Sequence, residues 1–259
     1  MEVGDIMGVL GGLRYVLIAL NMAIFLYAWF TLRKAAEAKA QSGAVDDDEC
    51  NVVLLVTAHP DDEVMFFLPT LLQLRQQGRE VYLLCLSKGR EEGTVREKEL
   101  EHSCRGLGLH GPLVGPFRDG PDERWPAPLV AAWVDKGVAA AGGRVRAVLT
   151  FDAGGVSGHP NHAACSAGVR AWQQGPGGGG AVLELRSAAL WAGKYLGSLG
   201  AAATLLLQSE PDACFYVPGQ PLALWRRMRE SYSSQLTWYR QLYALASRYA
   251  VINSYTLVH

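Results

Sequence analysis

The sequence predicts an α/β architecture: a Rossmann-like, mostly parallel sheet with helices on both faces, preceded by one N-terminal transmembrane helix. Three observations predict it. From residue 51 onward, short apolar runs alternate with amphipathic ones, the pattern of βαβ units. Two polar knots, His59-Pro60-Asp61-Asp62-Glu63 and His159-Pro160-Asn161-His162, each follow an apolar run. That is the carboxyl end of a strand, where open α/β sheets build their sites. Finally, residues 15–32 carry no charged side chain, and a run of about 18 such residues reaches the lower length for crossing a bilayer.

The membrane span comes first. Asn21 is its only amide, and Tyr27 and Trp29 lie near its end, where interfacial aromatics are common. Arg33, Lys34 and Lys39 follow closely, so the positive-inside rule places the next domain on the cytoplasmic side and the short N-terminus across the membrane. A cleaved signal peptide is the rival reading. Against it, the residues before the run carry no net positive charge, and no small-x-small site precedes the basic cluster. The chain therefore divides into an anchor over 1–34, a linker over 35–50 that ends in Asp46-Asp47-Asp48-Glu49, and a cytoplasmic domain over 51–259.

Within that domain, a strand over 51–57 leads through the first knot into a helix over 63–77, which Gly78 stops. A strand over 80–86 precedes an amphipathic helix over 94–107. A short strand near 112–117 and a Pro/Asp-rich loop precede a helix over 127–141. A strand over 145–151 enters the second knot, and a helix then runs to about Trp172. Gln173–Gly180 is a flexible surface loop. Later strands are expected at 181–187, 202–208 and 212–217, and the aromatic-rich tail over 222–251 reads as helical.

Composition narrows the function. Hydrophobic residues make up 49% of the 259, enough for a well-filled core. The formal net charge of −1 gives no general attraction to nucleic acid, and no nucleic-acid-binding motif occurs. The five cysteines are widely spaced with no CxxC pair, which fits reduced thiols better than a disulfide framework. The chain lacks the GxSxG elbow of serine hydrolases and the GxxxxGK[ST] phosphate loop.

The knots offer His, Asp and His for one divalent metal ion, with a spare carboxylate beside it. Imidazole and carboxylate both suit Zn²⁺, and two His with one carboxylate leave a coordination position for water. The same donors suit Fe²⁺ in an oxygenase, but those sites usually lie on all-β scaffolds. His59 and Asp62 are three residues apart, as are His159 and His162. Only one of the second pair needs to bind metal, which leaves the other to face a substrate carbonyl. Asp61 has the place of a base that takes a proton from water. The plainer alternatives are that Asp residues of the first knot only cap a helix, and that the second knot is a polar loop capped by Asn161.

AHPDDEVMFF, REKEL, TFDAGGVSGHPNH and the tail SQLTWYRQLY…SRY…INS together resemble the PIG-L/LmbE family of metal-dependent sugar N-deacetylases. DAGGVSGHPNH, the anchor and the aromatic tail point to eukaryotic members rather than to soluble bacterial thiol-sugar deacetylases. The resemblance implies hydrolysis of the acetamide of GlcNAc-phosphatidylinositol at the endoplasmic reticulum membrane, early in GPI-anchor assembly. It implies that His59, Asp62 and His162 bind zinc, that Asp61 is the general base, and that His159, protonated, stabilises the oxyanion. Arg96 resembles a family arginine near the site; its alternative is a solvated salt bridge to Glu99. The loop FRDGPDERW matches the family only loosely, so Asp119 and Asp122 stay outside the expected site. Trp225, Arg226, Arg227, Trp238 and Arg240 would line a membrane-facing rim or, on the plainer reading, form an amphipathic packing helix with a basic outer face. Two other functions fit the same motifs: an anchored deacetylase of a soluble substrate, and a silent scaffold. Five intact polar site residues argue against the second.

Overall fold

The first strand, β1 (Val52–Thr57), is apolar up to its last residue, Thr57, because both faces of the sheet are covered. The computed structural model describes residues 50–89, 93–188, 212–216 and 222–259, together with Tyr27 and Lys194. After β1 come α1 (Asp62–Met65), α2 (Leu68–Gln76), β2 (Glu80–Ser87), α3 (Gly93–Leu107), β3 (His110–Phe117) and α4 (Ala127–Ala140). Next are β4 (Ala147–Phe151), α5 (Gly155–Gly158), α6 (Pro160–Gln173) and β5 (Ala181–Leu185). β6 (Ala213–Tyr216), α7 (Ala223–Ser231), α8 (Trp238–Ala246) and β7 (Ile252–Val258) complete the order.

These strands form one seven-stranded sheet in the order β3-β2-β1-β4-β5-β7-β6. β1 to β5 are mutually parallel; β7 runs antiparallel to both β5 and β6. β3 lies at an edge, where Pro112 and Pro116, which have no N–H to donate, are tolerated. The chain winds outward from β1 to β3, then returns to β4 on the other side. The order therefore reverses between β1 and β4, and the crevice at their carboxyl ends is the switch point where such sheets bind ligands. Both knots emerge there.

Two helical layers cover the sheet. α4 and α6 pack on each other against β1, β2, β4 and β5. Their approach requires Gly168, because a Cβ there would collide with Val130. Trp172 of α6 also donates its indole N–H to Asp135 of α4 at 2.7 Å. α2 lies against β2, β6 and β7, and α7 joins α1 and α3. Cys50, Cys85, Cys104 and Cys165 are buried and free.

Two expectations need correction. The helix expected over 63–77 is two helices. Pro69 has no N–H for the Met65 carbonyl, so one helix cannot run through. Instead the Tyr243 hydroxyl donates to Met65 O at 3.5 Å and Asn253 Nδ2 to Phe66 O at 2.7 Å. The helical tail over 222–251 is broken by 3₁₀ turns at Ser233–Gln235 and Arg248–Ala250, and it is followed by a strand the periodicity did not predict. That strand, β7, inserts between β5 and β6. The anchor over 15–32 apart from Tyr27, the linker apart from Cys50, and the strand expected over 202–208 lie outside the described residues. Among the described residues no helix is long and apolar enough to cross a membrane.

Candidate active site

β1 ends at Thr57, and the chain turns through His59, Pro60 and Asp61 into α1. Asp61 takes φ 103°, a left-handed conformation that costs a non-glycine residue about 1–3 kcal/mol. Its neighbours hold it there. Asp62 Oδ2 accepts the backbone N–H groups of Ala58 (3.0 Å) and His59 (2.8 Å), which closes the turn and leaves Oδ1 facing the second knot. Burial alone would push the Asp62 carboxyl up, but the His162 and His59 imidazoles hold it well below the usual range.

The second knot starts α6. His159 caps that helix, its Nδ1 accepting Asn161 N–H at 3.2 Å. One turn earlier Gly155, at φ +55°, presents its carbonyl to His162 Nδ1 at 3.1 Å. A carbonyl only accepts, so Nδ1 donates here. Phe151 stacks on the His162 ring at 4.0 Å and 5°. His162 Nε2 lies 3.3 Å from Asp62 Oδ1, off hydrogen-bonding geometry, and so is a buried ring nitrogen with no hydrogen-bond partner among the described residues.

A buried imidazole nitrogen beside a carboxylate can serve as a metal ligand. Ligand atoms of His59, Asp62 and His162 all lie within 4.8 Å of one another, and all three residues are buried. The 3.3 Å between Asp62 and His162 is close to the spacing of two ligands about 2.1 Å from a tetrahedral zinc, about 3.4 Å. The donor set and its geometry therefore fit a divalent ion.

A second triad, His59 with Asp119 and His159, shares the first histidine. His59 Nε2 faces Asp119 Oδ1 and Asn161 Oδ1, each at 3.2 Å. Burial opposes a charge on His59, yet Asp119 and Asp62 outweigh it and hold the imidazole up at about 10. Asp119 thus belongs to the site, contrary to the sequence expectation; Asp122 is exposed and does not. Asn161 secures the loop that carries Asp119, accepting from Gly120 N–H (3.3 Å) and donating to Glu123 O (3.2 Å). It does not cap α6 with its side chain.

Asp61 is 3% exposed and makes no side-chain cap to α1. Its Oδ2 instead meets Arg240 Nη1 at 3.0 Å and Arg96 Nη2 at 3.2 Å. Burial pushes this carboxyl above its usual range, with Arg240 and Arg96 pulling the other way. Arg96 also donates to Pro60 O and sits 3.7 Å from Asp119 Oδ2, so one guanidinium ties Asp61 to the second triad. It makes no pair with Glu99, which instead accepts from Ser234 N–H and Oγ at 2.9 and 2.7 Å. Arg240, expected on an outer rim, points inward.

Behind Asp61, Glu63 is fully buried and accepts from Ser103 Oγ (2.6 Å) and Tyr232 OH (2.5 Å) at Oε1, and from Asp61 N–H (3.3 Å) at Oε2. His159 is half-buried, its ring 4.8 Å from those of His59 and His162. Burial and the other two imidazoles push it down to about 4. With Nδ1 accepting from Asn161 N–H, Nε2 is the ring nitrogen left to donate.

The family described as PIG-L: GlcNAc-PI de-N-acetylase matches residues 54–173. The N-acetylglucosaminyl-phosphatidylinositol de-N-acetylase of Bos taurus is 44% identical over 78% of this chain and 81% of its own. A probable protein of the same description from Schizosaccharomyces pombe is 31% identical over 76% of this chain and 83% of its own. Among solved structures, the N,N'-diacetylchitobiose deacetylase of Pyrococcus horikoshii superposes with a TM-score of 0.58. It covers 88% of this chain and 90% of its own at 16% identity, so the likeness is one of fold.

Proposed function

The chain belongs to the PIG-L family of GlcNAc-PI de-N-acetylases, and from that premise we propose that it hydrolyses the acetamide of GlcNAc-phosphatidylinositol to acetate and glucosaminyl-phosphatidylinositol, a step of GPI-anchor biosynthesis. The observation that carries this reading is the convergence of the knots: the partnerless Nε2 of His162 sits 3.3 Å from Asp62 Oδ1. His59, Asp62 and His162 would hold one divalent ion, zinc in our reading. When bound, that ion polarises the amide carbonyl and makes water a better nucleophile at neutral pH.

This chain's own groups do the rest. Asp61 takes the proton from the attacking water and returns it to the departing amine, a task served by a carboxylate pushed above its usual range. Arg240 and Arg96 fix its orientation. His159 donates its Nε2–H to the carbonyl oxygen as negative charge develops. Asp119 orients His59 through Nε2, as a carboxylate behind a ligating histidine commonly does.

The lipid substrate gives the anchor over 15–32 its purpose. It holds the domain at the endoplasmic reticulum membrane, on the cytoplasmic side, as the Arg33, Lys34 and Lys39 cluster directs. The test is acetate release by the purified full chain from the lipid-linked sugar, from free GlcNAc and from thiol-sugar conjugates. Release from the lipid only, abolished by chelation and restored by Zn²⁺, is expected. Equal turnover of soluble substrates, or undiminished activity after stripping, would overturn the reading.

A further inference from the structure

Helix α8 is apolar on both sides. Its inner face buries Tyr243 and Ala244 and sends Arg240 to Asp61. Its outer face carries Trp238, Tyr239 and Leu242, which are 73%, 54% and 57% exposed. Positions 238 and 242 are one turn apart and 239 lies next to them, so the three share one side of the helix. The rings of Trp238 and Tyr239 meet edge to face at 6.0 Å. The water side of a surface helix ordinarily carries polar residues. Large apolar side chains clustered there mark a contact surface.

The neighbouring helix indicates what the contact is. α7 packs against α8 and turns Arg226 and Arg229 to solvent, together with Glu230, which pairs with Arg227, and Leu222 just before its start is 51% exposed. Tryptophan, tyrosine and leucine beside exposed arginines are the composition that settles between lipid headgroups and acyl chains. The arginines complement an anionic phosphodiester headgroup. A protein groove would take the apolar residues equally well, but it gives no reason for the basic flank.

We propose that the outer face of α8, formed by Trp238, Tyr239 and Leu242, is a lipid-docking surface that seats the catalytic domain on a bilayer containing phosphatidylinositol. The inference rests on the reading that the substrate is a lipid-linked sugar. Arg240 and the docking residues occupy opposite sides of one helix, about 10 Å thick with its side chains. A two-ring headgroup standing up from the membrane spans a comparable distance. Docking therefore brings the acetamide level with Asp61 without drawing the lipid out of the bilayer.

Two measurements on the full chain in phosphatidylcholine–phosphatidylinositol vesicles test this. The first is tryptophan quenching by brominated lipid, in the wild type and in Trp238→Phe, which keeps the site apolar. The quenched fraction should fall in the variant, because Trp238 is among the indoles that touch lipid. An unchanged or larger fraction places Trp238 away from the bilayer, under a protein or another part of the chain, and overturns the proposal. The second uses the triple substitution Trp238→Ser, Tyr239→Ser, Leu242→Ser. Its kcat/KM on vesicle-borne GlcNAc-phosphatidylinositol should fall roughly tenfold, through KM, with turnover of an acyl-free headgroup analogue unchanged. Equal loss on both substrates makes the patch structural, and no loss on either makes it idle; both results overturn the proposal. A wild type that turns over neither substrate sinks the substrate reading alone, since the quenching result does not depend on activity.

Discussion

The two knots do similar chemistry with opposite construction. The first is wound against its own backbone preference: Asp61 sits at φ 103°, and His59, Asp61, Asp62 and Glu63 are all at most 7% exposed. His59, Asp61 and Glu63 are held by partners from distant parts of the chain, namely Asp119, Arg96, Ser103, Tyr232 and Arg240. The second knot is relaxed. It opens a fourteen-residue helix with His159 at φ −71° as its cap, and the cap and the first turn bring the rings of His159 and His162 within 4.8 Å. Buried charge needs many fixed partners; a neutral ring needs only a well-placed backbone. Changes in the first knot should therefore couple chemistry to stability, whereas changes in the second should alter chemistry alone.

The largest effect should come from Asp61→Asn. Asparagine tolerates the left-handed conformation, so the turn survives while the base is lost. Acetate release should fall on the order of 10³-fold with metal content by elemental analysis unchanged; full activity would remove Asp61 from the reaction. His159→Asn keeps a capping oxygen for α6 and should lower kcat about 10²-fold, with melting temperature and metal content held. A drop in melting temperature would break the contrast between the knots. Glu63→Ala strands the Ser103 and Tyr232 hydroxyls and should cost about 2 kcal/mol in chemical denaturation, much more than Glu63→Gln. Equal costs would show that the network is idle. The smallest effect, about tenfold weaker metal retention against a competing chelator, is expected of Asp119→Asn, because it touches the metal only through His59.

The parallel half of the sheet was legible because continuous apolar runs such as VVLLVT have few other uses, and the switch point follows once both knots end such runs. Asp62, His162 and His59 were legible as a trio for the same reason. What the sequence hides is register between distant segments. Nothing local in WYRQLY says that Arg240 turns inward while Trp238 turns outward, since the period places them on different faces but does not name the buried one. Asp119 lies in an irregular loop, where no periodicity reports direction; it reaches His59 because Asn161 holds that loop from the second knot. Asn161 could have been singled out, as a polar residue between two site histidines that ends up fully buried. β7 carried a signal in its β-branched and aromatic residues. Its place between β5 and β6 depends on pairings that sequence spacing does not encode.

Arg240 reaches Asp61 from α8, far along the chain from the turn that bears Asp61. The trio His59, Asp62 and His162, by contrast, grows from turns after two central strands. Short peripheral helices open at lower free energy than the middle of a sheet. Gentle warming should therefore unhitch this arginine first and silence turnover while the cation is still held and most of the molecule stands. Inactivation and melting would then be separate events, with an intact but idle protein as the species between them.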